Sequence, residues 1–260
     1  MKTLSVFLIA IAATTVQLSG QLAAAQQPGA SKAPASSSTA AKKTTAPSAP
    51  ALNRALLHPA LLKAKAPDLF KVHFATTKGD FVVEVHRDWS PLGADRFYNL
   101  VKNGFYNNAH FFRVVTGFVA QFGLSPSPAV NTAWEHTDFP DDPVKQTNSK
   151  GTITFASRGP NTRTTQLFIG LGENGRLDGM GFSPFAKVTE GMDVVEKLYA
   201  GYGEAPDQER IQAEGKPYLD KNFPLLDSIK MARVEGVAPV HPVVRKAASA
   251  AKTTLAPAKK

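Results

Sequence analysis

The sequence predicts an all-β domain, an antiparallel barrel or sandwich with helices at its ends. Three observations lead to this fold class. Several short segments alternate apolar and polar residues, which is the pattern of strands with one buried face. Only two stretches repeat apolar residues three and four positions apart, as a helix does. All aromatic side chains except Phe7 lie within residues 68–235, a normal length for one domain.

The first elements of the domain are a hairpin and a helix. The segment LFKVHFATTKGDFVVEVHR (69–87) alternates on both sides of a Thr-Lys-Gly-Asp turn at 77–80, which predicts a β-hairpin. A helical period follows over 90–104. Ser90 is a candidate N-cap and Pro91 suits the first helical position, while a glycine ends the stretch.

The remaining segments are mostly strands. FFRVVTGFVAQFG (111–123), KGTITFASRG (150–159) and TQLFIGLG (165–172) each predict a strand. PFAKVTEGMDVVEKLYAGYG (184–203) predicts a strand followed by the second helix. LLDSIKMARVEG (225–236) predicts the closing strand.

Charge and aromatic residues mark the limits of the domain. All 21 acidic residues lie between Asp68 and Glu235, among 18 basic ones, so this region carries −3 and the flanks carry +12. All but one of the 16 Phe, both Trp and all five Tyr lie in the same region. We therefore expect a folded domain over 68–236, with disordered Ala/Pro/Lys-rich segments at 26–67 and 237–260. The high pI belongs to these tails, and nucleic-acid binding is not expected.

The first 25 residues have the three parts of a secretory signal. Lys2 precedes an apolar stretch, and the alanines that end at Ala25 form an A-x-A cleavage site. A membrane anchor is the alternative, but the apolar stretch is shorter than the roughly 20 residues that a span needs. We expect an exported protein, periplasmic or extracellular. Its basic tails either contact anionic envelope surfaces weakly or act as spacers.

Arg113 is an unusual residue for its strand, because it lies among apolar side chains and arginine is rarely buried without a partner. In one interpretation it lies on the outer face of a half-buried strand and points into water. In the other it lines a pocket and takes part in chemistry. The segment by itself leaves both interpretations open.

Two signatures in the chain resemble those of the cyclophilin family of peptidyl-prolyl cis/trans isomerases. The first is F-x-R-V-x-x-G-F-x-x-Q-x-G, matched over 111–123. The second matches at several points between Ala156 and Val188, namely Ala156, Gly159-Pro160, Thr162, Gln166, Phe168-Ile169, Leu177-Asp178-Gly179, Phe185 and Val188. The similarity extends over nearly the whole domain. It implies an eight-stranded antiparallel barrel capped by two helices, with the active site on the outer barrel face.

The resemblance also implies roles for individual residues. Arg113, Phe118 and Gln121 correspond to catalytic positions, with Arg113 as the catalytic arginine and Gln121 as a ligand of the substrate carbonyl. The expected substrate-binding residues share the surrounding surface, namely Val119, Ala156, Ser157, Leu167, Phe168, Leu177 and Phe182. Ala156 and Ser157 would act through main-chain groups. The substrates would be unfolded or extended proline-containing chains, bound by a monomer that needs no metal or other cofactor.

Some positions depart from the family pattern. Arg176 stands where many cyclophilins have a tryptophan that contacts cyclosporin, Leu167 replaces a pocket phenylalanine, and Val119 replaces a methionine. A non-catalytic peptide-binding chaperone module of the same fold is therefore the alternative function.

The sequence contains two groups of potential metal ligands, and neither predicts a metal site. The acidic loop that contains Asp138, Asp141 and Asp142 is interpreted as solvated rather than as a cation site. The six histidines have no metal-ligand spacing.

Overall fold

Eight antiparallel strands form a single sheet in the computed structural model, which describes residues 52–236. The strands are β1 (Leu69–Thr76), β2 (Asp80–His86), β3 (Arg113–Val115), β4 (Val119–Phe122), β5 (Thr152–Phe155), β6 (Leu167–Gly170), β7 (Pro184–Glu190) and β8 (Ile229–Val234). Their order across the sheet is β3-β4-β6-β5-β7-β2-β1-β8. The predicted signal peptide, the tail at 237–260 and most of the predicted linker lie outside the described residues.

The sheet curls until its two edges meet. The segment before β3 pairs with the segment before β8 through the bridge between His110 and Ser228. Phe111 N donates to Asp227 O at 3.0 Å and Ile229 N donates to Ala109 O at 2.8 Å. The eight-stranded antiparallel fold expected from the sequence is therefore confirmed.

Aromatic side chains fill the interior of the curled sheet. Alternation along the strands sends Phe74 of β1, Phe81 of β2 and Phe122 of β4 inward, and each is almost fully buried. The rings of Phe74 and Phe81 stack at 4.7 Å between centroids, and Phe122 meets Phe74 edge-on at 6.1 Å. This core holds β4 rigidly, so that the outward side chains of the same strand have a fixed base.

Within residues 52–236, five helices lie around the sheet, where the sequence predicts two. They are α1 (Pro91–Lys102), α2 (Pro128–Trp134), α3 (Met192–Glu196), α4 (Gln208–Glu214) and α5 (Lys216–Asn222), and 3-10 helices cover Arg54–Leu57, Pro59–Leu61 and Gly175–Met180. The predicted helix at 90–104 is present as α1, and the second is the short α3. No helix of the described residues is long and apolar enough to cross a membrane.

The helices α4 and α5 belong to a segment that the sequence did not mark as helical. They build a second, smaller apolar cluster outside the barrel, formed by Phe112, Leu124, Ile211, Tyr218, Leu219 and Leu226. Tyr202 and Phe223 pack against this cluster. The segment 197–228 therefore has its own apolar anchor next to β3.

The sequence predicts that the folded region begins at residue 68. In the structure it begins earlier. Trp134 Nε1 donates to the carbonyl of Leu56 at 2.8 Å, and the Leu56 side chain is buried in the main core. Asn99 exchanges two hydrogen bonds with the backbone of Ala64, and Asp95 accepts from Ala66 N at 2.8 Å. Because these partners lie 29 to 78 residues away in the sequence, local composition gave no sign of the packing.

The acidic loop was predicted to be solvated, but one of its three aspartates, Asp142, is buried and has a structural role. The Asp142 side chain is buried and accepts hydrogen bonds from Ser90 Oγ at 2.6 Å and from Gly93 N at 2.9 Å. It also pairs with the buried Arg163 at 3.1 Å. The carboxylate thus caps α1, and Ser90 supports it as a donor instead of capping the helix itself.

Candidate active site

The expected site residues meet on the outer face of the sheet where β3, β4 and β6 lie side by side. In the strand registers Arg113 lies opposite Gln121, and Gln121 lies opposite Phe168. All three side chains point outward because their strand neighbours Val114, Ala120 and Ile169 face the core. The register therefore brings a cation, an amide and an aromatic ring from three strands into one row.

Arg113 lies on this outer face but does not simply extend into water. Its Nη1 donates to Gln121 Oε1 at 3.3 Å, and its Nε donates to Glu204 Oε1 at 2.6 Å. The guanidinium carbon lies 5.5 Å from the centroid of the Phe118 ring. With the side chain only 23% exposed, the structure supports the interpretation in which the arginine lines a binding surface.

An apolar cluster adjoins the arginine. It comprises Val119, Phe168 and Leu177, which are buried, and Phe118, Ala156 and Phe182, which pack on them. The rings of Phe168 and Phe182 meet edge-on at 5.8 Å. The structure thus brings together six of the expected site residues on a surface that could hold a proline ring. The exposed rim carries Arg176, whose guanidinium carbon lies 4.7 Å from the Phe118 centroid.

Leu167 does not belong to this surface. Its side chain is completely buried in the main core, where it faces Phe122 across one strand pair and Phe155 across the other. Leu167 and Phe168 are consecutive residues of β6, and consecutive strand residues point to opposite faces. The substrate-binding role expected for Leu167 is therefore wrong, whereas Phe168 lies where it was expected.

A polar groove continues from the apolar cluster. It has a volume of about 760 Å³ and includes Gln121, Ala156, Ser157 and Gln166 in its lining. Gln121 Nε2 donates to Gln166 Oε1 at 2.8 Å, so these two amides form one hydrogen-bonded unit. Ala156 N donates to Gln166 O at 2.9 Å, so this N–H is not available to a substrate. Ala156 borders both surfaces, while Ser157 lines the groove.

Two short helices, α2 and α4, form the opposite side of the groove. Thr132 and Glu135 come from α2 and its C-terminal end, and Gln208, Glu209 and Gln212 come from α4. Because α4 lies in the segment 197–228, this segment shapes the surface next to the arginine. No local pattern in the sequence indicates this contribution.

A buried polar network holds the part of the apolar cluster that comes from the 3-10 helix at Gly175–Met180. Asp178 Oδ1 accepts from Asn148 N at 2.9 Å and from Asn148 Nδ2 at 2.7 Å. Asn148 Nδ2 also donates to Phe182 O at 2.8 Å, and Asn148 Oδ1 accepts from Thr154 Oγ1 at 2.9 Å. These bonds fix Leu177 and Phe182 relative to β5. Asn148 is not among the site residues predicted from the sequence, because its partners lie up to 34 residues away.

No metal site accompanies these residues in the part of the chain that the structure describes. Within 52–236, no three histidine, aspartate or glutamate side chains are grouped so that they could hold a metal ion. The site therefore offers a cation, two amides and apolar rings as its chemical groups.

Comparison with known proteins gives the same family for the chain. The family model described as "Cyclophilin type peptidyl-prolyl cis-trans isomerase/CLD" matches residues 71–216. The chain is 33% identical over 142 residues to peptidyl-prolyl cis-trans isomerase B of Escherichia coli, covering 49% of this chain and 82% of that protein. It is 31% identical over 143 residues to a peptidyl-prolyl cis-trans isomerase of Acinetobacter baylyi, covering 53% and 76%.

Among solved structures, one match is a Cryptosporidium parvum cyclophilin-type peptidyl-prolyl cis-trans isomerase. It is 21% identical with a TM-score of 0.49, and the match covers 65% of this chain and 99% of that chain.

Proposed function

The chain belongs to the family of cyclophilin-type peptidyl-prolyl cis-trans isomerases, and on this premise we propose that Arg113 is the group with which it accelerates X–Pro rotation. The placement of this guanidinium carries the proposal. It is held by hydrogen bonds to Glu204 and Gln121, the latter at 3.3 Å, beside the apolar cluster that contains Phe118 and Phe168. A module that only binds peptides would not need a fixed guanidinium next to an apolar cluster.

The physical basis is the electronic structure of the amide. Rotation about an X–Pro bond takes tens to hundreds of seconds because the nitrogen shares its lone pair with the carbonyl. At the twisted transition state the lone pair is localised on nitrogen. A donor directed at that nitrogen stabilises the transition state more than either planar ground state, which is the requirement for catalysis. Arginine suits this role because its guanidinium stays charged and its donors have fixed directions.

The other residues of the site orient the substrate. Phe118, Phe168 and Phe182 would hold the proline ring and exclude water, which strengthens the interaction with Arg113. The Gln121 amide would bind the carbonyl of the residue before proline, and the polar groove would receive the chain that precedes it. Shortening the reaction from tens of seconds to milliseconds requires about 10⁴-fold, or about 5.5 kcal/mol. One oriented charged donor together with substrate positioning can supply this amount.

Substitution of the arginine tests the mechanism. Exchange NMR on a short X–Pro peptide measures the cis–trans rate without a coupled protease. We expect Arg113→Ala to lose about 10²- to 10³-fold in rate, because one preorganised charged donor is removed. Arg113→Lys should recover only part of the rate, since a point charge replaces the planar fork. Circular dichroism controls for the fold, and a wild-type rate in Arg113→Ala would refute the mechanism.

A peptide-binding module without turnover is the second candidate function. It is favoured by the groove of about 760 Å³, which could bind an extended chain without Arg113. The same Arg113→Ala variant separates the two functions. If it still suppresses aggregation of an unfolded client, binding is independent of catalysis. If suppression disappears together with catalysis, the second candidate fails.

We further propose that the clients are exported proteins, on the basis of the signal-like pattern in residues 1–25. The enzyme would then act as a monomer in the periplasm or outside the cell, with its basic tails touching anionic envelope surfaces. Mass spectrometry of the mature protein should show the loss of residues 1–25. Sedimentation with anionic vesicles should decrease with salt and with removal of residues 237–260. An uncut N-terminus would refute export by this route, and salt-independent sedimentation would refute the electrostatic contact.

A further inference from the structure

A carboxylate from outside the barrel contacts the proposed catalytic arginine. Glu204 lies in the turn between α3 and α4, 91 residues after Arg113 in the sequence. Its Oε1 accepts a hydrogen bond from Arg113 Nε at 2.6 Å and also contacts Nη2. The carboxylate therefore occupies the side edge of the guanidinium, which is formed by Nε and Nη2.

The turn that carries Glu204 is attached to the strand that carries Arg113. Val114 N, the residue after the arginine, donates to Gly203 O at 3.3 Å. Within the turn, Ala205 N donates to Tyr202 O at 2.9 Å. The Tyr202 ring meets Phe223 edge-on at 5.1 Å, which anchors the turn to the second apolar cluster. The Glu204 backbone is thus held in place from both sides, although its side chain is 60% exposed.

The contacts of the guanidinium leave one edge for a substrate. Glu204 takes the Nε side edge, Gln121 accepts from Nη1, and the Phe118 ring lies 5.5 Å away. The protons at the outer end of the fork, on Nη1 and Nη2, point away from Glu204. A carboxylate on the side edge therefore orients the fork without covering the end that would face a prolyl nitrogen.

From this geometry we propose that Glu204 is a positioning residue for Arg113. The inference rests on the proposed function, because it assigns Arg113 the catalytic role. A long arginine side chain has considerable rotamer freedom, and fixing it before the substrate binds removes that cost from the catalysed step. An exposed ion pair adds little to folding stability, so the contribution of Glu204 should appear in the rate and not in the free energy of unfolding.

The experiment compares Glu204→Ala and Glu204→Gln with wild type in the full chain. Glutamine keeps an oxygen that can accept from Arg113 Nε, whereas alanine does not. Glu214→Ala is the matched control, since it removes an exposed carboxylate of the same segment that is paired with Arg210. Arg113→Ala is included in parallel. Exchange NMR gives the isomerisation rate and the peptide affinity, and the ¹H–¹⁵N spectrum follows the Arg113 Nε–H signal.

We expect Glu204→Ala to lower the maximal rate about five- to tenfold with little change in peptide affinity, because the bound peptide meets a less ordered donor. Glu204→Gln should recover most of the rate, and Glu214→Ala should match wild type. The Arg113 Nε–H signal should shift and broaden in the alanine variant, while the unfolding midpoint stays nearly constant.

Two results would overturn the inference. One is a rate of Glu204→Ala at or above that of wild type, which would make the carboxylate dispensable or a competitor of the substrate. The other is a glutamine variant no better than alanine. If Arg113→Ala itself kept the wild-type rate, the proposed function would fail instead, so the two failures are distinguishable.

Discussion

Replacing Asp142 with alanine should destabilise the domain strongly, because this carboxylate joins two buried structures. It accepts from Ser90 Oγ at 2.6 Å, from Leu92 N at 3.1 Å and from Gly93 N at 2.9 Å. On its other side it pairs with Arg163 at 3.1 Å, and both side chains are 3% exposed. Asp142→Ala therefore removes the cap of α1 and leaves a buried guanidinium without its buried carboxylate partner.

The size of the effect follows from these two losses. Breaking a buried ion pair by removing one partner costs about 3–5 kcal/mol, and losing a helix N-cap costs about 1 kcal/mol. The cost of breaking the ion pair is partly offset, because Asp141 lies 3.1 Å from Arg163 Nε and Pro140 O also accepts from Nη2. We therefore expect a decrease of about 4 kcal/mol in the free energy of unfolding, a large part of the typical 5–15 kcal/mol for a domain.

Urea denaturation followed by tryptophan fluorescence measures this change. Asp141→Ala is the control, because Asp141 is 29% exposed and pairs with the same arginine, and it should cost less than about 1.5 kcal/mol. The double variant Asp142→Ala/Arg163→Met should be more stable than Asp142→Ala, since it no longer contains the stranded charge. A loss below about 1 kcal/mol in Asp142→Ala, or strictly additive effects in the double variant, would refute the reasoning.

Two further predictions concern pH and the two faces of β6. Burial, and then the charge of Lys216, lower the pKa of His110 to about 4 in the folded protein, although Asp220 opposes the shift. The unfolded chain binds this proton near pH 6.5, so stability should be complete above that pH and decrease by about 3 kcal/mol as the pH falls toward 4. Stability curves of His110→Gln should lack this decrease, and an unchanged curve would contradict the assignment. Leu167→Ala should lower the free energy of unfolding by about 2–5 kcal/mol while the folded enzyme keeps its rate. Phe168→Ala should instead reduce kcat/KM at least tenfold, because a pocket ring is lost. Equal effects of the two variants on kcat/KM would contradict the assignment of opposite faces.

Much of the fold could be predicted because its signals are local. Alternation along β1 and β2, with a turn between them, defines a hairpin through the geometry of consecutive residues alone. The apolar stripe of α1 likewise depends only on spacing of three and four residues. Arg113 and Gln121 stood out for a similar reason, since charged and amide groups within an apolar strand need partners.

Other features could not be predicted because their causes lie far away in the sequence. Ser90 had the local pattern of a helix cap, but a stronger acceptor, Asp142, reaches the same helix end from 49–52 residues away. The folded boundary was placed too late because Leu56 is held by Trp134, which is 78 residues distant. In both cases the deciding contact is tertiary.

The sequence by itself determined the strands, the first helix, the family and most of the residues of the candidate site. Each of these follows from short-range periodicity or from a motif whose residues are close together. The tertiary structure alone decided that Leu167 faces the core while Phe168 lies in the outer apolar cluster, because the direction of each side chain depends on the register between strands. It alone decided that Glu204 meets Arg113, because nothing in a sequence separation of 91 residues indicates which turn will reach which strand.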